Sequence, residues 1–560
     1  MAIIPSPKIF LLLLAFFFSH AIPAKSSNAS TTTTLHANLS SSNRTNPFPE
    51  VSSFNSSKLS ISININPYII NTLLNSLQAA ISGATKLSDL STNAGNNIIN
   101  NKIGAVQDCR ELQQSTLASL KRSLSTHFLN INPNIINTLL KSLQAAISGA
   151  TKLSDLLNNA GNNIIDNKIG AVQDCRELQQ STLASLKRSL SGIRSQDSKK
   201  LVDARTYLSA ALTNKDTCLE SIDSASGTLK PVVVNSVISS YKDVSESLSM
   251  LPKPERKASK GHKNRRLLWL SMKNRRRLLQ SNDGGELVVA ADGTGNFSFI
   301  TEAINFAPND SAGRTVIYVK EGTYEENVEI PSYKTNIVLF GDGKDVTVIT
   351  GNRSVVDGWT TFRSATLTVS GEGFLARDIA FENKAGPEKL QAVALRVNAD
   401  FTAFYRCAMY GYQDTLYVHS FRQFYRECDI FGTIDYIFGN AAVVLHASKI
   451  ITRMPMPGQF TVITAQSRDS PDEDTGISIQ NCSILATTDL YSNSGSVKSY
   501  LGRPWRGIFS SPTLINLLTQ WGGKSGLVIK AWTLCIMEIS EFIIGDAWLG
   551  STSFPYDDGI

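Results

Sequence analysis

Two aspartates occupy positions where a solvated charge would not normally sit. Asp414 lies in Gly411-Tyr412-Gln413-Asp414-Thr415-Leu416-Tyr417 and Asp435 in Gly432-Thr433-Ile434-Asp435-Tyr436-Ile437-Phe438-Gly439, each among aromatic and β-branched residues. They are 21 positions apart, as are Cys407 and Cys428 in the near-repeats Phe404-Tyr405-Arg406-Cys407 and Phe424-Tyr425-Arg426-Glu427-Cys428. Two features recurring at one spacing predict successive coils of a stacked β-structure. Stacked coils bring both carboxylates to one face, where one can attack and the other can move protons. Either aspartate alone reads more simply as a turn or capping residue; the pairing of the motifs argues for chemistry.

The surrounding text fits such a scaffold. From Gly285 onward it breaks into short β-rich runs, Val316–Val319, Asn336–Phe340, Val346–Ile349, Thr366–Val369 and Val393–Val397, punctuated by Gly, Asp and Asn. Many short strands without intervening helices predict an all-β solenoid, sandwich or barrel, and the recurrence favours the solenoid. The front half is different. Ile65–Ser125 recurs as Ile131–Ser191 with five differences, and Ile70, Leu73, Leu74, Leu77 and Ile136, Leu139, Leu140, Leu143 follow a helical period. Near-identity of this kind reads as a duplication, one copy of which has no proper place in the fold. Leu201–Leu219 and Leu229–Leu251 continue the helical pattern. Cys175 and Cys218 would then staple two helices of a small bundle and leave Cys109 odd.

The 560 residues exceed one ordinary domain. The segments expected are a signal peptide at 1–24, a Ser/Thr/Asn-rich disordered lead at 25–60, a helical region at 61–251, a basic linker at 252–280 and a β-domain at 281–560. The formal charge of +7 hides an asymmetry. From Gln280 to the end there are 21 basic and 31 acidic residues (21 − 31 = −10), which leaves 54 − 21 = 33 basic and 47 − 31 = 16 acidic, or +17, in front. That split argues against a nucleic-acid footprint and suggests that the halves attract one another. Lys8, the apolar run Ile9–Phe18 and Ala21-Ile22-Pro23-Ala24 form a secretory signal pattern too short to span a bilayer. Sequons at Asn28, Asn38, Asn43, Asn55, Asn296, Asn309, Asn352 and Asn481 agree with export and glycosylation. None of the seven cysteines forms a CxxC and the histidines do not cluster with them, so no metal or cofactor is expected. In an oxidising compartment Cys407–Cys428 would bridge neighbouring coils; the other reading is two stacked, reduced thiols. The linker carries Arg265-Arg266-Leu267-Leu268 and Arg275-Arg276-Arg277-Leu278-Leu279, which suit proteolytic nicking in an exposed segment.

These residues closely resemble plant pectin methylesterases. The likeness rests on Gly322-Thr323-Tyr324-Glu325-Glu326, Gln391-Ala392-Val393-Ala394-Leu395-Arg396, the two aspartate motifs, Leu501-Gly502-Arg503-Pro504-Trp505 and the closing stretch Ile543–Tyr556. The helical region, through Asp174-Cys175 and Leu208–Thr213 followed by Cys218, resembles the inhibitor-like pro-region of such enzymes. The resemblance implies a right-handed parallel β-helix preceded by an all-α four-helix bundle, and secretion to the cell wall. It implies pectin as substrate, with a subtilisin-like protease cutting at the Arg-Arg-Leu-Leu sites and contact between pro-region and enzyme. It further implies Asp435 as nucleophile, Asp414 as general acid, and Gln413 and Gln391 as oxyanion donors. Thr361, Phe438, Arg503 and Trp505 would bind substrate, Arg503 pairing with Asp435. Phe438 also reads as plain core packing.

The chain departs from the family after Trp505. Codons permitted for Trp521–Glu538, read one base earlier, can spell the family's Gly-Trp-rich segment, which suggests a frame slip in the gene followed by a return before Ile543. Cys535 would then carry no structural meaning, and the pro-region lacks the family's early cysteine pair. The alternatives to an esterase are a catalytically defective or inhibitor-like carbohydrate-binding protein, and a pectin lyase. A lyase needs a base at C5 that the paired Asp and Gln residues do not supply.

Overall fold

In a computed structural model the chain divides into two units, 1–130 and 131–560. The structure describes residues 133–160, 163–195, 197–252, 287–506 and 539–556, with short stretches at 33–34, 62–63 and 529–533. In the first unit, Thr33–Thr34 pairs antiparallel with Ser62–Ile63. The first repeat copy, the basic linker, the signal pattern, Cys109 and Cys535 lie outside the described residues.

The second unit opens with four helices: α1 (Pro133–Asn158), α2 (Ala171–Ser195), α3 (Ser198–Asp223) and α4 (Lys230–Met250). Each buries one apolar stripe, for example Leu139, Leu143, Ala146, Ala150, Leu153 and Leu157 of α1. The Asp197 carboxylate caps α3 by accepting from the Lys199 N–H at 2.8 Å. Cys175 of α2 and Cys218 of α3 form a disulfide. The helices come from the second repeat copy and the text after it. Two of the five differences explain why this copy fits. Leu157 is fully buried where the first copy has Ser91, and Asp166 accepts the Val172 N–H at 2.8 Å where the first copy has Asn100.

The rest is a parallel β-helix with three faces. One coil runs Thr402–Tyr405, Ala408–Tyr410, Leu416–Val418, and the next runs Arg422–Arg426, Asp429–Gly432, Ile437–Gly439. Each strand pairs in parallel with its counterpart one coil on: Phe404 with Tyr425, Met409 with Ile430, Tyr417 with Phe438. Parallel connections of this kind wind right-handed. The five expected strands appear within a residue or two, as Thr315–Val319, Ile337–Gly341, Thr347–Gly351, Leu367–Val369 and Leu395–Val397. The interior is a continuous apolar column with stacked rings, Phe404 on Tyr425 at 4.7 Å between centroids.

Helix Gly545–Thr552 and the residues after it lie on the outside of the first face. Trp548 packs on Phe401 and Phe554 on Tyr405, at centroid distances of 5.6 and 5.4 Å. Strand Ile529–Thr533 runs antiparallel to Gly476–Ala486, so the parallel order breaks beyond the last full coil. No helix among the described residues is long and apolar enough to cross a membrane.

The expected Cys407–Cys428 bridge is absent: both residues are free, fully buried thiols, as is Cys482. Cys407 and Cys428 occupy the same corner on adjacent coils, each after a residue with positive φ (Arg406 at 51°, Glu427 at 53°). Equivalent positions on stacked parallel coils point their Cβ atoms the same way, whereas a disulfide needs a crossed arrangement near 90°. The thiols instead face backbone carbonyls, Cys407 Sγ that of Tyr405 at 3.5 Å and Cys428 Sγ that of Arg426 at 3.3 Å.

Candidate active site

Both aspartates lie where the chain passes from the second face to the third. Each takes a left-handed backbone, φ 64° at Asp414 and 50° at Asp435, which costs a residue with a Cβ about 1 kcal/mol or more. The ladder between coils holds them there: the Thr433 N–H donates to the Tyr412 carbonyl at 2.8 Å and the Asp414 N–H to the Ile434 carbonyl at 3.0 Å. The carboxyl groups therefore stand one above the other, and each aspartate is only 8% exposed.

Their environments differ. Arg503, on strand Ser499–Pro504, donates Nε to Asp435 Oδ1 at 2.8 Å and to Oδ2 at 3.1 Å, and Nη2 also meets Oδ2. Burial raises the Asp435 pKa above its usual value, and the Arg503 hydrogen bond and charge restrain that rise without cancelling it. Asp414 has no such partner among the described residues. Burial pushes its pKa well above the usual carboxylate range, the charges of Asp435 and Glu220 push it further, and Arg503 opposes them. Of the pair, Asp414 holds its proton more tightly and Asp435 is the one stabilised as an anion.

Gln391 and Gln413 stack as a parallel bridge on neighbouring coils, both half-buried, with Gln413 next to Asp414. Phe438 is buried and stacks on Tyr417 at 4.2 Å, and Trp505, 37% exposed, lies edge-on to Phe438 at 5.7 Å. Thr361 is half-buried and caps a turn through its carbonyl, which accepts from the Ser364 hydroxyl at 2.9 Å. The structure thus brings Asp414, Asp435, Gln413, Gln391, Arg503, Phe438 and Trp505 to one face. Tyr417 was not singled out from the sequence, yet it precedes Phe438 by the same 21 residues that separate the aspartates, and that spacing would have found it.

The helical bundle sits on this face. The Asp174 carboxylate, fully buried, accepts from Thr360 Oγ1 at 2.6 Å, Arg363 Nε at 2.7 Å and Ser221 Oγ at 3.0 Å. Thr217 meets His419 Nε2 at 3.0 Å, and Asn440 Nδ2 donates to Thr213 at 2.9 Å. Glu220 pairs with Arg506, the residue after Trp505. Phe362, Val393, Tyr417 and Phe438 join one apolar cluster with the bundle core. The ion pairs do not follow the net-charge split. Arg188–Glu372 and Arg205–Asp474 agree with a basic bundle on an acidic β-helix, but Asp174–Arg363, Glu177–Arg363, Asp203–Arg422 and Glu220–Arg506 run the other way.

The Pectinesterase family model matches residues 286–520, and the Plant invertase/pectin methylesterase inhibitor model matches residues 130–250. The chain is 57% identical over 498 residues to the probable pectinesterase/pectinesterase inhibitor 12 of Arabidopsis thaliana, covering 79% of this chain and 90% of that one. It is 45% identical over 404 residues to pectinesterase/pectinesterase inhibitor PPE8B of Prunus persica, covering 69% and 77%. Among solved structures, the pectin methylesterase from carrot is 42% identical, covers 50% of this chain and 99% of its own, and superposes with a TM-score of 0.44. The chain belongs to the pectinesterase family, as a member with an inhibitor-like helical region ahead of its β-helix.

Proposed function

We propose that this pectinesterase demethylates pectin through an aspartyl acyl-enzyme, with Asp435 as nucleophile and Asp414 as proton carrier. An Asp435 oxygen attacks the C6 carbonyl of a methylated galacturonate while Gln413 and Gln391 donate to the oxygen that becomes negative. The C–O bond to the methoxy group breaks, Asp414 gives its proton to that oxygen, and methanol leaves behind an anhydride on Asp435. Asp414, now anionic, takes a proton from water, whose oxygen attacks the anhydride carbonyl and frees pectate. Both carboxyl groups return to their starting states. Arg503 keeps Asp435 anionic and aimed. Phe438, Trp505 and Tyr417 offer faces to the sugar rings, and Thr361, whose neighbour Phe362 packs edge-on to Tyr417, would contact the substrate beside them. The reading is carried by one observation: the Arg503–Asp435 ion pair stands beside a second buried carboxyl, whose pKa burial pushes well above the usual carboxylate range.

The bundle contacts of Asp174, Thr217 and Glu220 support a closed cleft in the unprocessed chain. A secreted protease cutting at the Arg-Arg-Leu-Leu sites would open it in the cell wall. Asp435→Asn tests the chemistry. Its amide is no nucleophile, so methanol release from methylated pectin should fall by about a thousandfold or more with an unchanged melting temperature. Near-normal release by the variant removes Asp435 from its role, and formation of ultraviolet-absorbing unsaturated products instead would point to a lyase.

A further inference from the structure

The coil after the second aspartate turn sends one side chain back across two coils. Lys449–Thr452 pairs with Asp429–Gly432, Thr452 beside Gly432, and Arg453 follows. The Arg453 N–H donates to the Gly432 carbonyl at 2.8 Å. Its guanidinium reaches the coil beyond: Nη1 donates to the Gly411 carbonyl at 3.0 Å and Nη2 to the Tyr412 hydroxyl at 2.6 Å. It also lies over the Tyr412 ring, with Cζ 3.7 Å from the centroid. Gly411 and Gly432 open the two aspartate motifs, and one residue holds the carbonyls of both.

Those openings have no slack. A Cβ on Gly411 would come within 2.6 Å of Thr415 Oγ1, and one on Gly432 within 2.1 Å of Tyr436 Cβ. Three residues further on, each turn places its aspartate in a left-handed backbone that surrounding contacts must over-determine. On the inner side the inter-coil ladder does this. On the outer side of the first turn, the Arg453 fork does so.

We propose that Arg453 is a positioning residue for the esterase reaction. It clamps the Gly411–Asp414 turn against the Gly432–Asp435 turn and so sets where the Gln413 amide and the Asp414 carboxyl stand relative to Asp435. The proposal rests on the roles given above to Asp414, Asp435 and Gln413. Arg453 acts through shape rather than field. The charges that act on Asp414 are Asp435, Arg503 and Glu220, and the charge that acts on Asp435 is Arg503. The Arg453 charge is felt instead by Asp489. Arginine suits the task because its planar fork reaches two acceptors and stacks at once, which a lysine cannot do.

The test compares wild type, Arg453→Ala and Arg453→Lys, each expressed as the full chain and assayed as plant cells release it. In Arg453→Ala, kcat for methanol release should fall about 10- to 100-fold, the cost of an ångström-scale misplacement, while KM stays within about twofold. Arg453→Lys should recover little of the loss. Free guanidinium added to Arg453→Ala should restore part of kcat and restore none in Asp435→Asn. Amide exchange at 411–416 should speed up in both Arg453 variants. An unchanged kcat overturns the proposal. So does a KM increase at constant kcat, which would make Arg453 a substrate ligand. A kcat loss matched by a lower melting temperature without guanidinium rescue overturns it too, as plain structural damage. Should wild type itself release no methanol, the esterase roles fail first, and unchanged exchange at 411–416 in the variants would still sink the clamp.

Discussion

At the scale of single residues, two identical side chains receive different surroundings. Asp435 is buried but forked by Arg503, and Asp414 is buried beside another carboxyl. On the proposed mechanism turnover needs Asp435 ionised and Asp414 protonated, so kcat should rise with pH as Asp435 loses its proton and fall as Asp414 loses its own. Arg503→Met removes the pull on Asp435, whose pKa then follows burial upward. Rate–pH curves should show the acid limb moving to higher pH in that variant, with the basic limb staying or moving up because Arg503 also restrains Asp414. An acid limb that does not move would separate Arg503 from the ionisation of Asp435.

At the scale of elements, the disulfide and the docking contacts share the same helical turns. Cys175 follows Asp174 on α2, and Cys218 follows Thr217 on α3. The bridge closes a span of 43 residues, for which chain entropy gives about 4 kcal/mol of bundle stability. Cys175→Ser with Cys218→Ser should lose a stability of that order in the bundle by denaturant melts. It should also raise methanol release by the uncut chain, because α2 and α3 no longer present Asp174 and Thr217 together. The β-helix thiols behave differently. Burial raises the Cys407 thiol pKa well above its usual value, Cys428 adds to this, and both stay inert packing groups.

At the scale of the whole molecule, bundle and β-helix meet through buried charge. Burial pushes the Asp174 pKa from 3.8 up to about 6, against Arg363, Thr360 and Arg396. A raised folded value favours docking below the free value and loses that gain as pH climbs through about 6. Glu177 has the opposite sign: burial raises it, but Arg396 and Arg363 outweigh burial and hold it below 4.5, so its contribution is lost as pH falls. Docking should therefore be firmest between these values and weaken toward neutrality. Burial also raises Glu220, paired with Arg506, to about 7, so once the linker is cut the fraction of bundle that stays bound during gel filtration should be greater near pH 5 than near pH 7, with Asp174→Asn reducing the difference and Asp174→Asn with Glu220→Gln reducing it further. At the other end of the molecule, the family match stops at residue 520, directly before Trp521–Glu538, and the strand beyond breaks the parallel order.

Much of this was readable from spacing. A parallel coil repeats its length, so residues 21 apart share a rung, and Asp414 with Asp435, Tyr417 with Phe438 and Cys407 with Cys428 follow from counting alone. The helical stripes and the alternation of short strands were equally local. The remaining features depend on groups distant in the chain and on the direction in which stacked side chains point. Arg503 reaches Asp435 across 68 residues, and Thr217 reaches His419 across 202. The cysteine spacing allowed either a bridge or a thiol stack, and the parallel Cβ directions decided for the stack. Net charge predicted attraction between the halves but not its carriers, because desolvated pairs at a contact are matched one by one rather than by totals. Periodicity is written in neighbouring residues, whereas docking is settled only when separate surfaces meet.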